Sequence, residues 1–177
     1  MGRRSRQEGR RGRRIVNAAG GDGSVAAELV AELTRRGLTI AVAESLTGGL
    51  LVAELIAVPG ASVVVRGGVV AYATDLKETL LGVHPGLLAT SGPIHPDVAR
   101  QMADGVRRRL GADIGIATTG AAGPDPQDGH APGEVWLGYA IGDDITAVGL
   151  ALGGDRAAIR SDTVSESLLR LRTLLQE

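Results

Sequence analysis

The sequence of 177 residues contains no cysteine and no phenylalanine, and aromatic residues make up only 2% of it. The absence of cysteine excludes disulfides, thiolate metal sites and a cysteine nucleophile. Because hydrophobic residues nonetheless make up 44% of the chain, its core must consist mainly of aliphatic side chains. A chain of this length and composition is typical of one globular domain.

Long hydrophobic runs are also missing, because glycine, polar or charged residues interrupt every apolar stretch. The sequence therefore predicts neither a transmembrane helix nor a secretory signal, and with the lack of cysteine it favours a cytoplasmic protein. His84, His95 and His130 are scattered among proline-containing loops without metal-ligand spacing. We therefore expect no metal site and no cofactor. Gly-x-Ser-x-Gly, Walker and Gly-x-Gly-x-x-Gly motifs are absent, which argues against several common hydrolase and nucleotide-binding families.

The net charge of -1 is unevenly distributed along the chain. Residues 1–14 hold seven arginines and one glutamate, so the remaining 163 residues carry a charge of -7. We expect residues 1–23 to form a disordered basic arm and residues 24–177 to form the folded domain. The acidic domain argues against nucleic-acid binding by the whole protein, whereas the arm leaves weak contacts with phosphate polymers open.

Hydrophobic periodicity predicts alternating helices and strands along the domain. Helices are expected at about residues 25–36, 49–58, 75–81, 96–110 and 155–175, and strands at about 38–43, 62–72, 114–119, 135–141 and 145–152. The last two strands form a predicted hairpin, while the earlier strands alternate with helices. The expected fold is therefore a single α/β domain, a layered mixed sheet with helices on both faces.

Ser45 lies at the predicted junction between a strand and a helix, where ligands collect in open α/β sheets. It is followed by Thr47, Gly48 and Gly49. Free backbone N–H groups at such a junction suit a phosphate or a developing oxyanion. A simple helix cap by Ser45 or Thr47 is the more frequent use of these residue types, so this cluster alone leaves both interpretations open.

Lys77 is the only lysine in a chain whose other 18 basic residues are arginine. A general base must be able to lose its proton, which a desolvated lysine can do and an arginine cannot. A neutral lysine amine can activate a serine hydroxyl. The alternative is a chance lysine exposed on a helix, and the two interpretations are evenly balanced on this evidence.

Three further clusters follow predicted strands and could complete a site. Tyr72 lies five residues before Lys77 and could share its pocket, or could instead anchor the edge of the sheet. Thr119 and Gly120 could hold a carbonyl group or a ribose, or could simply form a turn. Arg156 could clamp a phosphate through two hydrogen bonds, or could form a salt bridge at the end of the last helix.

Taken in order, these clusters resemble the C-terminal domain family of the competence/damage-inducible proteins, over about residues 24–175. Residues 43–49, Ala-Glu-Ser-Leu-Thr-Gly-Gly, are similar to the family's Ala-Glu-Ser-Cys-Thr-Gly-Gly. Residues 72–77, Tyr-Ala-Thr-Asp-Leu-Lys, resemble Tyr-Ser-Asn-Glu-x-Lys. The stretches 58–62, 119–124 and 154–160 resemble its Pro-Gly-Ser-Ser, Thr-Gly-Ile-Ala-Gly-Pro and Gly-Asp-Arg-x-x-x-Arg motifs.

The stand-alone members of that family are nicotinamide-nucleotide amidohydrolases of pyridine nucleotide salvage. The resemblance implies hydrolysis of nicotinamide mononucleotide to nicotinate mononucleotide and ammonia, by a protein that is often a dimer. It implies a serine nucleophile at Ser45 activated by Lys77 and Tyr72, with Thr119 and Arg156 lining the nucleotide pocket. Thr47, Gly48, Gly49 and Gly120 complete the substrate-binding set that we expect from the matching motifs.

The departures from the family pattern concern one loop above all. Residues 131–135, Ala-Pro-Gly-Glu-Val, stand where the family has Lys-Pro-Val-Gly-Thr-Val, so that a lysine is missing and Glu134 lies near the position of a threonine. A carboxylate there should weaken phosphate binding. Leu46 replaces the family's cysteine beside the nucleophile. A non-catalytic nucleotide-binding or scaffold domain linked to competence or DNA damage, and an amidase of another substrate, therefore stay open.

The amidase hypothesis makes three structural predictions. Backbone N–H groups near Gly48 and Gly49 should hold the oxyanion. Burial should lower the pKa of Lys77 towards neutrality, and a positive neighbour such as Arg156 would act in the same direction. Because a carboxylate facing the amine would stabilise its charged form, Glu44 should point away from Lys77 and bind backbone or other groups.

Overall fold

The computed structural model describes residues 23–176. The basic arm predicted for residues 1–23 therefore lies almost entirely outside the described residues. The first described helix, α1 (Val25–Arg36), begins at Ser24, whose side chain accepts a hydrogen bond from the N–H of Ala27, and ends at Gly37 in a left-handed conformation. Both features are typical of the ends of an α-helix.

One five-stranded mixed sheet forms the centre of the domain, with strand order β2-β1-β3-β4-β5. The strands are β1 (Ile40–Glu44), β2 (Val65–Val70), β3 (Ile114–Gly120), β4 (Glu134–Ile141) and β5 (Asp144–Ala151). The first three are mutually parallel, whereas β4 is antiparallel to both β3 and β5. The remaining helices are α2 (Leu50–Ile56), α3 (Thr74–Leu81), α4 (Pro85–Ser91), α5 (Pro96–Leu110) and α6 (Arg156–Leu174).

The sheet separates two apolar layers, because successive strand side chains point to opposite faces. Ile40 and Val42 join the core beneath α1, α2 and α6, whereas Ala41 and Ala43 face the layer that contains α5. The α5 layer is unusually close to the strands. A Cβ atom on Gly115 or Gly138 would lie 2.0 Å from a backbone oxygen of α5, so glycine is required at both positions. The α/β fold with helices on both faces is thus confirmed.

Two parts of the expected secondary structure are wrong. The predicted strand 62–72 begins with a 3-10 helix, Ala61–Val63, because Gly60 takes a left-handed conformation with φ of 86° and turns the chain before β2. Helix α4 was not predicted; His84 caps it and Pro85 occupies its first turn, so its short sequence has the appearance of a loop. Within residues 23–176, no helix combines the length and apolarity needed to cross a membrane.

Candidate active site

Parallel pairing brings the predicted site residues to one edge of the sheet. Ser45 directly follows β1, Tyr72 lies two residues after the end of β2, and Thr118 and Thr119 are close to the end of β3. Lys77 lies in α3, the helix that the chain enters immediately after β2. Because the carboxyl ends of parallel strands meet at one edge, residues that are more than 70 positions apart in the sequence become neighbours.

Ser45 and Lys77 form a direct hydrogen-bonded pair. The Nζ atom of Lys77 lies 3.0 Å from the Oγ atom of Ser45 and 3.0 Å from the carbonyl oxygen of Ala71. Lys77 is only 1% exposed and Ser45 9% exposed. In the neutral state the amine donates one hydrogen to Ala71 and uses its lone pair to accept the Ser45 hydroxyl proton. The pair therefore has the contact that a general base and its nucleophile require.

Burial lowers the pKa of Lys77 from its ordinary value of 10.5 to about 8, because the interior disfavours the charged ammonium. The neighbouring charge that acts on the amine is the carboxylate of Asp128, which raises the pKa. Arg156, whose positive charge would have lowered the pKa of Lys77 further, is not among the groups that shift it. Desolvation outweighs the carboxylate, so that a substantial fraction of Lys77 is neutral near pH 8.

Glu44 points away from the amine, as predicted. Its two carboxylate oxygens accept hydrogen bonds from the backbone N–H groups of Gly49, Leu51 and Val52, at 2.9, 3.1 and 2.9 Å. The side chain is completely buried. A carboxylate at the end of β1 thus satisfies N–H groups at the start of α2 that have no partner within the helix, and it fixes the turn that carries Ser45.

In the turn after Ser45, the N–H groups of Gly48 and Gly49 themselves already have acceptors within the protein. The N–H of Gly48 donates to the carbonyl of Ser45, and that of Gly49 donates to Glu44. Within the described part of the chain, neither the N–H of Leu46 nor that of Thr47 has a hydrogen-bond acceptor.

Arg160 explains how the N–H of Thr47 is oriented. Its Nε atom donates to the carbonyl of Leu46 at 2.9 Å, and its Nη2 atom donates to that of Thr47 at 2.9 Å. The carbonyl and N–H of a trans peptide point in opposite directions. The N–H of Thr47 therefore points away from the guanidinium that binds the Leu46 carbonyl.

Tyr72 and Arg156 lie together at the surface. The Nη2 atom of Arg156 donates to the Tyr72 hydroxyl at 3.2 Å, and its Nη1 atom donates to the carbonyl of Gly123 at 2.8 Å. Tyr72 is 60% exposed, and its hydrogen bond to Arg156 does not involve Ser45 or Lys77. The arginine thus joins the end of β2 to the loop after β3, and it forms no salt bridge with the helix cap Asp155, whose carboxylate accepts from Ala158.

Thr47, Thr119 and Gly120, which we expect to bind substrate, each make structural contacts within the protein. The hydroxyls of Thr47 and Thr118 are 2.8 Å apart and fully buried, and that of Thr119 donates to the carbonyl of Pro93 at 2.7 Å. A Cβ atom on Gly120 would lie 2.6 Å from the carbonyl oxygen of Glu134. Close pairing of β3 with β4 therefore explains the glycine without a ligand.

The loop between β3 and β4 is folded on itself. The carboxylate of Glu134, the first residue of β4, lies 2.7 Å from Nδ1 of His130 in the loop, and the backbone groups of Gln127 and His130 pair with each other. The carboxylate that replaces the family threonine is thus engaged by a histidine of this loop. Across residues 23–176, no group of three or more acidic or histidine side chains is arranged to hold a metal ion.

Two grooves of the described surface lie elsewhere. One of about 500 Å³ runs between α1, α2 and α6, and another of about 650 Å³ lies beside α5. Neither is lined by Ser45 or Lys77. We assign the site from the Ser45–Lys77 contact, because that pair has a defined chemical role and the groove linings do not.

Sequence reasoning missed two charged residues at this site. Asp128 acts on Lys77 from a loop 51 positions away, and no local pattern predicts that approach. The sequence does contain a signal for Arg160, because this residue ends the stretch that resembles Gly-Asp-Arg-x-x-x-Arg. That motif does not show, however, that the Arg160 side chain binds the carbonyl groups beside Ser45.

Comparison with known proteins shows which family the chain belongs to. The profile described as CinA C-terminal domain matches residues 22–175. The chain belongs to the CinA C-terminal domain family. A CinA-like protein of Frankia casuarinae is 46% identical over 156 residues, which cover 88% of this chain and 36% of the relative. A putative competence-damage inducible protein of Geobacillus kaustophilus is 49% identical over 144 residues, which cover 81% of this chain and 35% of the relative.

Solved structures place the fold in the same family. The competence/damage inducible protein CihA of Agrobacterium tumefaciens superimposes with a TM-score of 0.81 at 34% identity, covering 85% of this chain and 93% of the other. The chain spans about a third of the length of the curated relatives that it matches. This CinA C-terminal domain therefore matches most of the length of the solved chain but only part of the longer relatives.

Proposed function

We propose that this CinA C-terminal domain hydrolyses the carboxamide of nicotinamide mononucleotide, with Ser45 as nucleophile and Lys77 as general base. The observation that carries the proposal is the buried 3.0 Å contact between Nζ and Oγ. The pKa of about 8 for Lys77 supports it, because a base must be partly unprotonated near neutral pH. Membership of the family supports the fold and the assignment of the motif that contains Ser45. The choice of nicotinamide mononucleotide as the substrate is part of the proposal.

In the first half of the reaction, Lys77 removes the hydroxyl proton as the Ser45 oxygen attacks the carboxamide carbon. The N–H groups of Leu46 and Thr47 stabilise the negative charge that forms on the carbonyl oxygen. The Lys77 ammonium then returns the proton to the amide nitrogen, the carbon–nitrogen bond breaks, and ammonia leaves. An ester between the carboxyl group of nicotinate mononucleotide and the Ser45 oxygen remains.

In the second half, water attacks the ester carbon while Lys77 accepts a proton from that water. The carbon–oxygen bond to Ser45 breaks, and the proton on Lys77 passes to the serine oxygen. Nicotinate mononucleotide is released and the resting pair is restored. Because Tyr72 is hydrogen-bonded to Arg156, we assign these two side chains to binding the nucleotide phosphate or ribose, and not to proton transfer.

Ammonia release from nicotinamide mononucleotide tests the proposal. Wild-type protein should release ammonia, whereas Ser45→Ala and Lys77→Arg should abolish release, the latter although positive charge is kept. Arg109→Lys, at an exposed position near the end of α5, is a matched control that should retain full activity. No release by the wild type at millimolar substrate, or full activity of either site variant, contradicts the proposal.

A further inference from the structure

The loop between β3 and β4 presents Asp128 from a defined turn. Asp128 and Gly129 have φ angles of 51° and 83°, and the N–H and carbonyl of Gln127 pair with those of His130 at 3.0 and 2.9 Å. Two central residues with positive φ inside such a pair form the type I′ turn of a tight hairpin, for which Asp-Gly is a preferred sequence. The tip of the loop therefore has a fixed backbone.

The base of the loop is also fixed to the sheet. The N–H of Ala121 donates to the carbonyl of Glu134 at 2.9 Å, and the N–H of Gly133 donates to the carbonyl of Ala121 at 2.8 Å. The contact between His130 and Glu134 adds a side-chain connection between the loop and β4. These bonds hold the position of Asp128 relative to β3 and hence to the site beside it.

Charge is distributed asymmetrically around the Ser45–Lys77 pair. Asp128 is exposed and is the carboxylate whose charge reaches Lys77. Residues 121–133 contain two aspartates and neither lysine nor arginine. Arg156, by contrast, lies beside Tyr72. The site thus offers a negative group from the loop and a positive group from the start of α6.

A pyridinium mononucleotide has the complementary arrangement, with a positive ring next to the carboxamide and a negative phosphate farther away. We propose that Asp128 is a specificity-determining residue that selects carboxamides whose aromatic ring is positively charged. This inference rests on the proposed function. A carboxylate at the rim stabilises a cationic ring in the site and gives a neutral ring no such stabilisation.

Asp128→Asn is the decisive variant, because asparagine has nearly the same shape and is equally suited to a type I′ turn. The two substrates are nicotinamide mononucleotide and its neutral isostere, in which carbon replaces the ring nitrogen. At about pH 9.5, where Lys77 is almost entirely neutral with or without the Asp128 carboxylate, we expect the variant to lower kcat/KM for the pyridinium substrate about tenfold, as for loss of one partly screened charge contact, and to change it less than twofold for the neutral substrate. Asp143→Asn, in the exposed β4–β5 turn at the other end of the sheet, should change neither.

An equal change for both substrates, or no change for either, overturns the selection by Asp128 while leaving the amidase function intact. If the wild type hydrolyses neither substrate, the proposed function fails, and calorimetry with the same two compounds decides the inference separately. Weaker binding of the pyridinium compound alone to Asp128→Asn supports it. Equal affinities in wild type and variant, or no binding of either compound to the wild type, overturn it.

Discussion

Replacing Lys77 by methionine should change how the stability of the protein depends on pH. The folded state depresses the pKa of Lys77 from 10.5 to about 8. Between these values the unfolded chain binds more protons at this position than the folded protein does. Stability therefore rises with pH through this window in the wild type. Lys77→Met removes the titrating amine but keeps an unbranched chain of similar length in the same buried position.

The size of the effect follows from the two pKa values. A difference of about 2.5 pH units corresponds to about 3.4 kcal/mol between low and high pH. About 1.4 kcal/mol of this falls between pH 7 and pH 9 by the same linkage. Because Lys77 is only 1% exposed, solvent screening should remove little of it.

Urea unfolding of both proteins at pH 7 and pH 9 measures this effect. The free energy of unfolding of the wild type, minus that of Lys77→Met, should increase by about 1.4 kcal/mol over this interval. Taking the difference cancels the titration of all other groups that the two proteins share. A difference that is constant within about 0.3 kcal/mol, or that falls with pH, would refute the depressed pKa and with it the base assigned to Ser45.

Three other substitutions test separate parts of the structure. Tyr72→Phe removes the hydroxyl that binds Arg156 and should raise KM for nicotinamide mononucleotide severalfold in steady-state kinetics with little change in kcat; a large loss of kcat alone would instead assign Tyr72 to the chemistry. Glu44→Ala leaves three N–H groups without their acceptor, and should lower the free energy of unfolding by about 3 kcal/mol or more in urea titrations, a loss below about 1 kcal/mol being inconsistent with that role. Gly105→Ala places a Cβ atom 1.8 Å from the Leu81 carbonyl oxygen and should lower the melting temperature by several degrees, so an unchanged melting temperature would contradict the close packing of α3 on α5.

The fold was largely predictable because local signals agree with the tertiary structure. Helix α5 has the predicted bounds, since Pro96 begins it and Gly111 ends it in a left-handed conformation. The apolar strand β1 and the hairpin of β4 and β5 were expected with small differences in bounds. The register of β2 beside β1 was not predicted, because it depends on pairing between segments separated by a helix and a turn.

The candidate site was predictable in identity and only partly in geometry. The motifs pointed to Ser45, Lys77 and Glu44, and all three have the relative positions expected of them. The sequence could not show that the N–H groups of Gly48 and Gly49 already donate to a turn carbonyl and to the Glu44 side chain, which leaves the other N–H groups of the same turn for an oxyanion. The homodimer expected from the family stays a prediction.

Ammonia release as a function of pH tests the central claim, that Lys77 activates Ser45, most directly. With nicotinamide mononucleotide far below its KM, where the rate reports the free enzyme, we expect the wild-type rate to rise with pH around an apparent pKa of about 8. The rate should rise because only the neutral amine can accept the hydroxyl proton. Lys77→Arg should show no release at any pH between 6 and 10. A wild-type rate that is independent of pH over that range, or an arginine variant that releases ammonia at the wild-type rate, would contradict the account.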